Sequence, residues 1–168
     1  LQQAGFGDRE RTFGPGQFEA VLCLGTSLPH ALSAGQVEAT LADFAACLKP
    51  GGLLVLQNRN FDAIMAARSR WMEPQSVREG EVEWLFLRFY DFEPDGMLSF
   101  NILTLRRTGQ GGWSQSVRST MLRPLLAEEL RSALDGSGFR SLTLYGDMTG
   151  APFDSATSGN LVVSARRD

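Results

Sequence analysis

A short apolar segment, an amphipathic helix and a second short apolar segment follow one another in the first third of the chain. Residues 18–24 and 53–56 are apolar on both faces, a pattern typical of strands buried in a parallel sheet. Between them, Ser33 and Gln36 form a capping box, and apolar residues recur at helical spacing until the Pro-Gly-Gly at residues 50–52. A connection of this length is a right-handed crossover, so the sequence predicts an α/β fold with a parallel sheet.

The middle of the chain has a different pattern. Residues 81–92, 97–107 and 113–122 are long segments rich in aromatic and β-branched residues, and residues 93–96 and 108–112 between them are typical hairpin connections. These segments predict an antiparallel meander. We expect it to form an inserted subdomain over residues 79–123.

The last part of the chain returns to the α/β pattern. Pro124 stands near a helix start, and three leucines recur at four-residue spacing: Leu126, Leu130 and Leu134. Two short strands, around residues 141–145 and 160–165, close the chain. The sequence contains no internal repeat and no flexible linker, so residues 1–168 are expected to form one domain.

Charge and hydropathy disfavour several functional classes. The formal charge is -3 and the chain has no basic run, so nucleic acid is not expected as a partner. No segment approaches the ~20 apolar residues that cross a bilayer, and the first residues carry no signal pattern, so we expect a cytoplasmic protein that does not bind membranes. Cys23 and Cys47 lie in apolar segments and are expected to be buried free thiols. With His30 as the single histidine, we predict no metal site.

Polar residues follow both predicted core strands, at the sheet edge where open α/β folds bind ligands. Gly25 permits a close backbone approach, Thr26 and Ser27 carry hydroxyl groups, and His30 ends the same segment. Arg59 follows the second strand, and a guanidinium group at that place is suited to a carboxylate. These residues are the candidate site.

Each candidate has a structural alternative. The alternative for His30 is a turn residue that caps a backbone carbonyl. Arg59 has the alternative of an ion pair with one of three acids: Asp62, Glu81 or Glu83. The aromatic residues of the meander either line a pocket or form its core; they are Trp84, Phe86, Phe89 and Tyr90.

Two longer stretches carry a resemblance to a known family. Residues 18–30 and 48–55, with the Leu-Lys-Pro-Gly-Gly join, resemble the fourth strand, the following helix and the fifth strand of class I S-adenosylmethionine-dependent methyltransferases. Residues 24–27 with His30, followed by the Arg-Asn-Phe-Asp of residues 59–62, are similar to the glycine and sarcosine N-methyltransferase branch. The resemblance implies a Rossmann-like sheet with the meander as a substrate lid.

The resemblance also implies a cofactor and site residues. The cofactor would be S-adenosylmethionine, bound by the segment after the first core strand: Leu24, Gly25, Thr26, Ser27 and His30. The substrate would be bound by Arg59, which would hold a carboxylate, and by the two residues after it, Asn60 and Phe61. Thr26 replaces the family's asparagine, and Phe61 replaces its tyrosine. No residue is assigned as a catalytic acid or base.

The family's glycine-rich turn and the acidic residue that holds the ribose belong before Phe18 and are absent from this sequence. We therefore expect a C-terminal portion of a methyltransferase, with residues 1–6 as the end of a helix, and expect this chain alone to be inactive. In the complete enzyme we expect methyl transfer to a small molecule, such as the amine of an amino acid.

Two alternatives remain. The first is the same chemistry on another small acceptor, which would be a hydroxyl, a carboxylate or a larger amine. The second is a non-catalytic domain that uses the aromatic meander for binding or for assembly into a homo-oligomer.

Overall fold

The computed structural model describes residue 3 and residues 5–168. The helices are α1 (Arg9–Phe13), α2 (Ala34–Cys47), α3 (Phe61–Ala67) and α4 (Ala127–Gly136), with a short 3₁₀ helix at Leu28–His30. The strands are β1 (Phe18–Cys23), β2 (Leu48–Arg59), β3 (Gln75–Glu79), β4 (Val82–Phe92), β5 (Leu98–Thr108), β6 (Ser114–Leu122), β7 (Phe139–Tyr145) and β8 (Asn160–Arg167). Residues 1, 2 and 4, in the predicted helix end, lie outside the described residues; residues 3, 5 and 6 are not helical, and the first helix begins at Arg9.

The predicted strand-helix-strand unit is confirmed, but β1 is not the buried strand expected: it lies at the edge of its sheet, and most of its residues are exposed. β1 and β2 pair in parallel, and α2 connects them. The Ser33 hydroxyl accepts a hydrogen bond from the backbone N–H of Gln36 at 3.2 Å, which satisfies one of the free donors of the first helical turn. Glycine is required at residue 52, near the start of β2, because a Cβ there would lie 2.8 Å from the carbonyl oxygen of Lys49.

The first sheet has the strand order β1-β2-β8-β7. The α/β class with a mostly parallel sheet is confirmed, with one strand that runs against the others. β8 lies between β2 and β7 and is antiparallel to both of them. β1, β2 and β7 therefore run in the same direction, and β8 runs opposite to them. The sheet is therefore mixed.

The main core lies between this sheet and the helices α2 and α4. It contains Phe44 of α2, Leu54 and Leu56 of β2, Leu134 of α4 and Phe139 of β7, each about 1% exposed or less. The leucines of α4 that the spacing singled out divide accordingly: Leu130 and Leu134 are buried, whereas Leu126 precedes the helix and is exposed. Cys23 and Cys47 are buried free thiols, as expected.

The second sheet is the predicted antiparallel meander, with one strand more than expected. Its order is β3-β4-β5-β6, and every pairing is antiparallel. β3 extends the sheet to residue 75, although the predicted boundary is residue 79. Every residue of β3 is exposed, so this edge strand is held by backbone pairing to β4. Because it has no alternation of apolar and polar residues, sequence analysis does not detect it.

The second sheet packs against α3 at one end of one face. Phe61 and Ile64 of α3 meet Tyr90, Leu98 and Leu122, which form a small separate core. The remaining side chains of β4 are only partly buried. No helix within the described residues is long and apolar enough to span a membrane.

Candidate functional site

The segment that follows β1 and the last residues of β2 are joined by hydrogen bonds. The backbone N–H of Gly25 donates to the side-chain oxygen of Gln57 at 2.7 Å, and the N–H of Thr26 donates to the Gln57 carbonyl at 3.0 Å. In the opposite direction, the N–H of Arg59 donates to the Thr26 hydroxyl at 3.1 Å. The two segments predicted to share one sheet edge therefore lie side by side.

The turn after β1 has an unusual backbone. Gly25 and Thr26 have positive φ angles of 72° and 61°. This region is ordinary for glycine but costs a β-branched residue of order 1–3 kcal/mol, and such residues cluster at ligand sites. The Ser27 hydroxyl donates to the Leu24 carbonyl at 2.7 Å, so it helps to shape the turn.

Asn60 is used almost entirely to hold the protein together. The residue is 1% exposed, and its side-chain oxygen caps α3 by accepting from the N–H of Ala63 at 3.3 Å. Its side-chain nitrogen donates to three carbonyl oxygens of the loop before β8, which belong to Asp154, Ser155 and Ser158. Because its hydrogen-bonding groups are occupied, Asn60 has no free polar group for a ligand.

Phe61 and Asp62 of the Arg-Asn-Phe-Asp sequence also have structural roles, whereas Arg59 does not. Phe61 is completely buried in the small core with Tyr90. One carboxylate oxygen of Asp62 accepts from the N–H of Ala127 at 3.0 Å, at the N-terminus of α4, where a negative charge is favourable. Of these four residues, only Arg59 is exposed.

A cavity of about 700 Å³ lies between the joined turns and the second sheet. Its lining comprises Gly25, Thr26, His30, Arg59, Trp71, Met72, Glu73, Gln75, Arg88, Tyr90, Phe100, Ile102 and Leu122. Of the predicted cofactor residues, Gly25, Thr26 and His30 line it, whereas Leu24 and Ser27 do not. Of the predicted substrate residues, Arg59 lines it, whereas Asn60 and Phe61 do not.

The second sheet contributes residues that sequence analysis missed, and Arg88 is the most notable. It interrupts the apolar run of β4 and shares the face of Tyr90, because strand residues two apart point the same way. That interruption is the only signal in the sequence. Phe89 points to the opposite face and stacks on Trp71 at 4.8 Å, so it does not line the cavity.

Tyr90 is a neutral hydrogen-bonding group in this cavity. Burial raises the pKa of its phenol to about 12, and the nearby guanidinium groups of Arg59 and Arg88 oppose that shift. A phenol with this pKa keeps its proton at neutral pH. Tyr90 can therefore donate a hydrogen bond there, but it cannot accept a proton as a general base.

The structural alternatives for Arg59 and His30 are not realised. Glu83 is paired with Arg107 at 2.6 Å, and Asp62 caps α4. Within the described residues, the side chain of Arg59 forms no ion pair or hydrogen bond, and the same part of the chain gives His30 no side-chain hydrogen bond. Both remain available to a ligand.

Comparison with known sequences finds one group of relatives. The chain is 32% identical to a glycine/sarcosine N-methyltransferase of Aphanothece halophytica over 144 residues, which are 78% of this chain and 45% of that protein. It is 41% identical to the glycine N-methyltransferase of Mus musculus over 63 residues, which are 35% of this chain and 21% of that protein. The chain thus spans less than half the length of these relatives. No family model matches it.

Comparison with solved structures confirms the fold. A methyltransferase from Clostridium acetobutylicum that depends on S-adenosylmethionine superposes with a TM-score of 0.71 at 13% identity, over 90% of this chain and 59% of that one. An amino pentose methyltransferase from Micromonospora echinaspora, with S-adenosylmethionine bound, has a TM-score of 0.67 at 20% identity, over 91% and 59%. At these identities the likeness concerns the fold alone.

Proposed function

Because the chain belongs to the class I S-adenosylmethionine-dependent methyltransferases, we propose that its protein transfers a methyl group to the amine of a small amino acid. The observation that carries this proposal is Arg59, an exposed arginine without an ion partner among the described residues, on the rim of the cavity. A guanidinium group presents paired donors that match the two oxygens of a carboxylate. The glycine/sarcosine N-methyltransferases among the sequence relatives support the same acceptor class.

The cofactor side of the proposed site is the turn after β1. Gly25, Thr26 and His30 offer backbone groups, a hydroxyl and an imidazole to the cavity, and these polar groups fit the amino-acid end of S-adenosylmethionine. Leu24 is exposed outside the cavity lining, and Ser27 holds the turn in shape. When bound, the cofactor supplies an electrophilic methyl group on a sulfonium ion.

The acceptor side is formed by Arg59 with Tyr90. Arg59 binds the carboxylate, and the protonated phenol of Tyr90 donates a further hydrogen bond. Asn60 and Phe61 act as positioning residues, because the cap and the core contact fix the chain just after Arg59. The protein contributes mainly orientation of the amine, which must be neutral to attack the methyl carbon.

The second sheet serves as the cover of the acceptor. Phe100, Ile102 and Leu122 supply an apolar wall to the cavity. Exclusion of water strengthens the contact between a carboxylate and Arg59, since fewer solvent molecules compete with it. The proposed substrate lid is therefore the meander together with β3, which lies outside the boundary predicted from the sequence.

The test is a methyl-transfer assay on the full-length protein with glycine, sarcosine, glycinamide and an amino sugar as acceptors. We expect transfer to the amino acids and a drop of about 10- to 100-fold in kcat/KM for Arg59→Gln, the loss of a charge-assisted hydrogen bond. Arg78→Gln is the matched control, because Arg78 is exposed on β3 and does not line the cavity.

Other outcomes would favour the alternatives. Equal transfer to glycinamide and glycine, with no effect of Arg59→Gln, would indicate an acceptor without a carboxylate. Absence of S-adenosylmethionine binding by the full-length protein would exclude the enzyme and favour a non-catalytic domain.

A further inference from the structure

Arg88 is a cavity residue whose charge has no partner in the described part of the chain. It lies on β4, is half-buried and lines the same cavity as Arg59. Its Nε atom is fully buried and has no hydrogen-bond partner. Two other arginines of the second sheet and its flanking segment are paired with acids: Arg70 with Asp91 and Arg107 with Glu83, both at 2.6 Å.

The neighbours of Arg88 explain why it stays without a partner. Ile102 is its partner on β5, and on the other side the N–H of Met72 donates to the Arg88 carbonyl at 3.0 Å. Both neighbouring side chains are apolar. Glu73 lines the same cavity but is exposed and forms no ion pair among the described residues. A guanidinium group that lines a cavity without an acid partner gains a strong, charge-assisted contact from an anion that binds there.

The position of Arg88 relative to Arg59 matters for the ligand. Arg59 stands at the end of β2 in the first sheet, and Arg88 stands in the second sheet, with the cavity between the two sheets. Tyr90 lies two residues from Arg88 on the same face. An anion in this cavity is therefore approached by cationic groups from both sheets.

We propose that Arg88 is a second anion-binding residue of the acceptor site and that it holds the acceptor carboxylate together with Arg59. This inference rests on the proposed function and deepens it, because it restricts the acceptor class to amines that carry a carboxylate. It also assigns the second sheet a direct part in recognition. The carboxylate links the two sheets when the acceptor binds.

The experiment measures steady-state kinetics of the full-length protein, with S-adenosylmethionine saturating and glycine or sarcosine varied. For Arg88→Gln we expect KM to rise about 10- to 100-fold, the loss of one charge-assisted contact, with kcat within about threefold. Arg118→Gln is the matched control, because Arg118 shares the face of Arg88 two strands away and does not line the cavity. It should keep the wild-type KM.

Two additional comparisons make the test specific. The effects of Arg59→Gln and Arg88→Gln should be non-additive in the double variant, because both contact one carboxylate. With glycinamide, which lacks that carboxylate, the wild type and Arg88→Gln should have equal kcat/KM values. Circular dichroism of each variant checks that the fold is unchanged.

The failure of this inference is distinct from the failure of the proposed function. A wild-type KM for Arg88→Gln, alongside a large effect of Arg59→Gln, would overturn the role of Arg88 and leave the function intact. No transfer to either amino acid by the wild type would overturn the proposed function, and this inference with it. If Arg88→Gln does not fold, Arg88→Met replaces it: a KM about 10- to 100-fold higher supports the two-arginine site, and an unchanged KM overturns it.

Discussion

The two sheets of this protein bury their side chains in different ways. On β2 of the first sheet, residues 54, 56 and 58 are almost completely buried, and α2 and α4 supply the core that covers them. On β4 of the second sheet, Tyr90 alone is buried, and the core there depends on two residues of α3. The first sheet is held over its length, whereas the second is held at one end. The cavity lies at that end.

This difference fits the proposed roles of the two regions. A cofactor turn needs a fixed backbone, and the hydrogen bonds among Gly25, Thr26 and Gln57 provide one. A sheet that covers a substrate must be anchored at one end and packed less tightly elsewhere. The N–H of Arg123 donates to the Pro29 carbonyl at 2.8 Å, which attaches the end of the second sheet to the segment after the cofactor turn. The following experiments test how far the two regions are separate.

The largest expected effect comes from Phe61→Ala. Phe61 is completely buried between α3 and the second sheet, so its loss should lower the free energy of unfolding by about 3–5 kcal/mol. All three tryptophans, Trp71, Trp84 and Trp113, belong to the second sheet or its flanking segments, so their fluorescence during urea unfolding reports on that region. Val117→Ala, at a side chain 61% exposed on β6, should change the midpoint little. A fluorescence midpoint unchanged by Phe61→Ala would show that the second sheet stands alone.

A smaller effect is expected for Asn60→Ala, which removes the α3 cap and the donor to the loop before β8. We expect a loss of about 1–3 kcal/mol in urea unfolding, because buried carbonyl oxygens lose their donor. Asn60→Ser should recover part of this loss, since a serine caps a helix but cannot reach all the carbonyls. Wild-type stability of Asn60→Ala would mean that the loop and α3 are held by other contacts.

The smallest effect appears only at alkaline pH. Burial raises the pKa of Tyr90 to about 12, so its neutral form contributes stability that is complete below the ordinary tyrosine pKa of about 10 and is lost as the pH rises towards 12. Ultraviolet titration of the phenolate should show a step near 12 that is absent from Tyr90→Phe. In Arg88→Gln the step should move higher, because a nearby positive charge is removed. A Tyr90 step near pH 10 would show that the phenol is open to solvent.

Much of the fold and the main loops of the site could be predicted from the sequence. The strand pair and the capping box of residues 18–56 are local patterns that formed as predicted. The burial of β1 was predicted wrongly, since most of its residues are exposed, and the Pro-Gly-Gly of residues 50–52 lies within β2. The hairpins of the meander were also placed within a residue or two. In contrast, β3, α1 and α3 were not predicted, because β3 is exposed throughout and the two helices have only five and seven residues.

The sequence by itself determined most of the strands and helices, and that polar residues stand at the ends of β1 and β2, because side-chain periodicity and turn residues act over short distances. Only the tertiary structure decided which residue of the Arg-Asn-Phe-Asp sequence faces the cavity and which residues make structural contacts. Arg59 faces the cavity, while Asn60, Phe61 and Asp62 bind a distant loop, the second sheet and α4. It likewise decided that Arg88 shares a cavity with Arg59. The groups that Asn60, Phe61 and Asp62 contact lie far along the chain, and only packing brings them together.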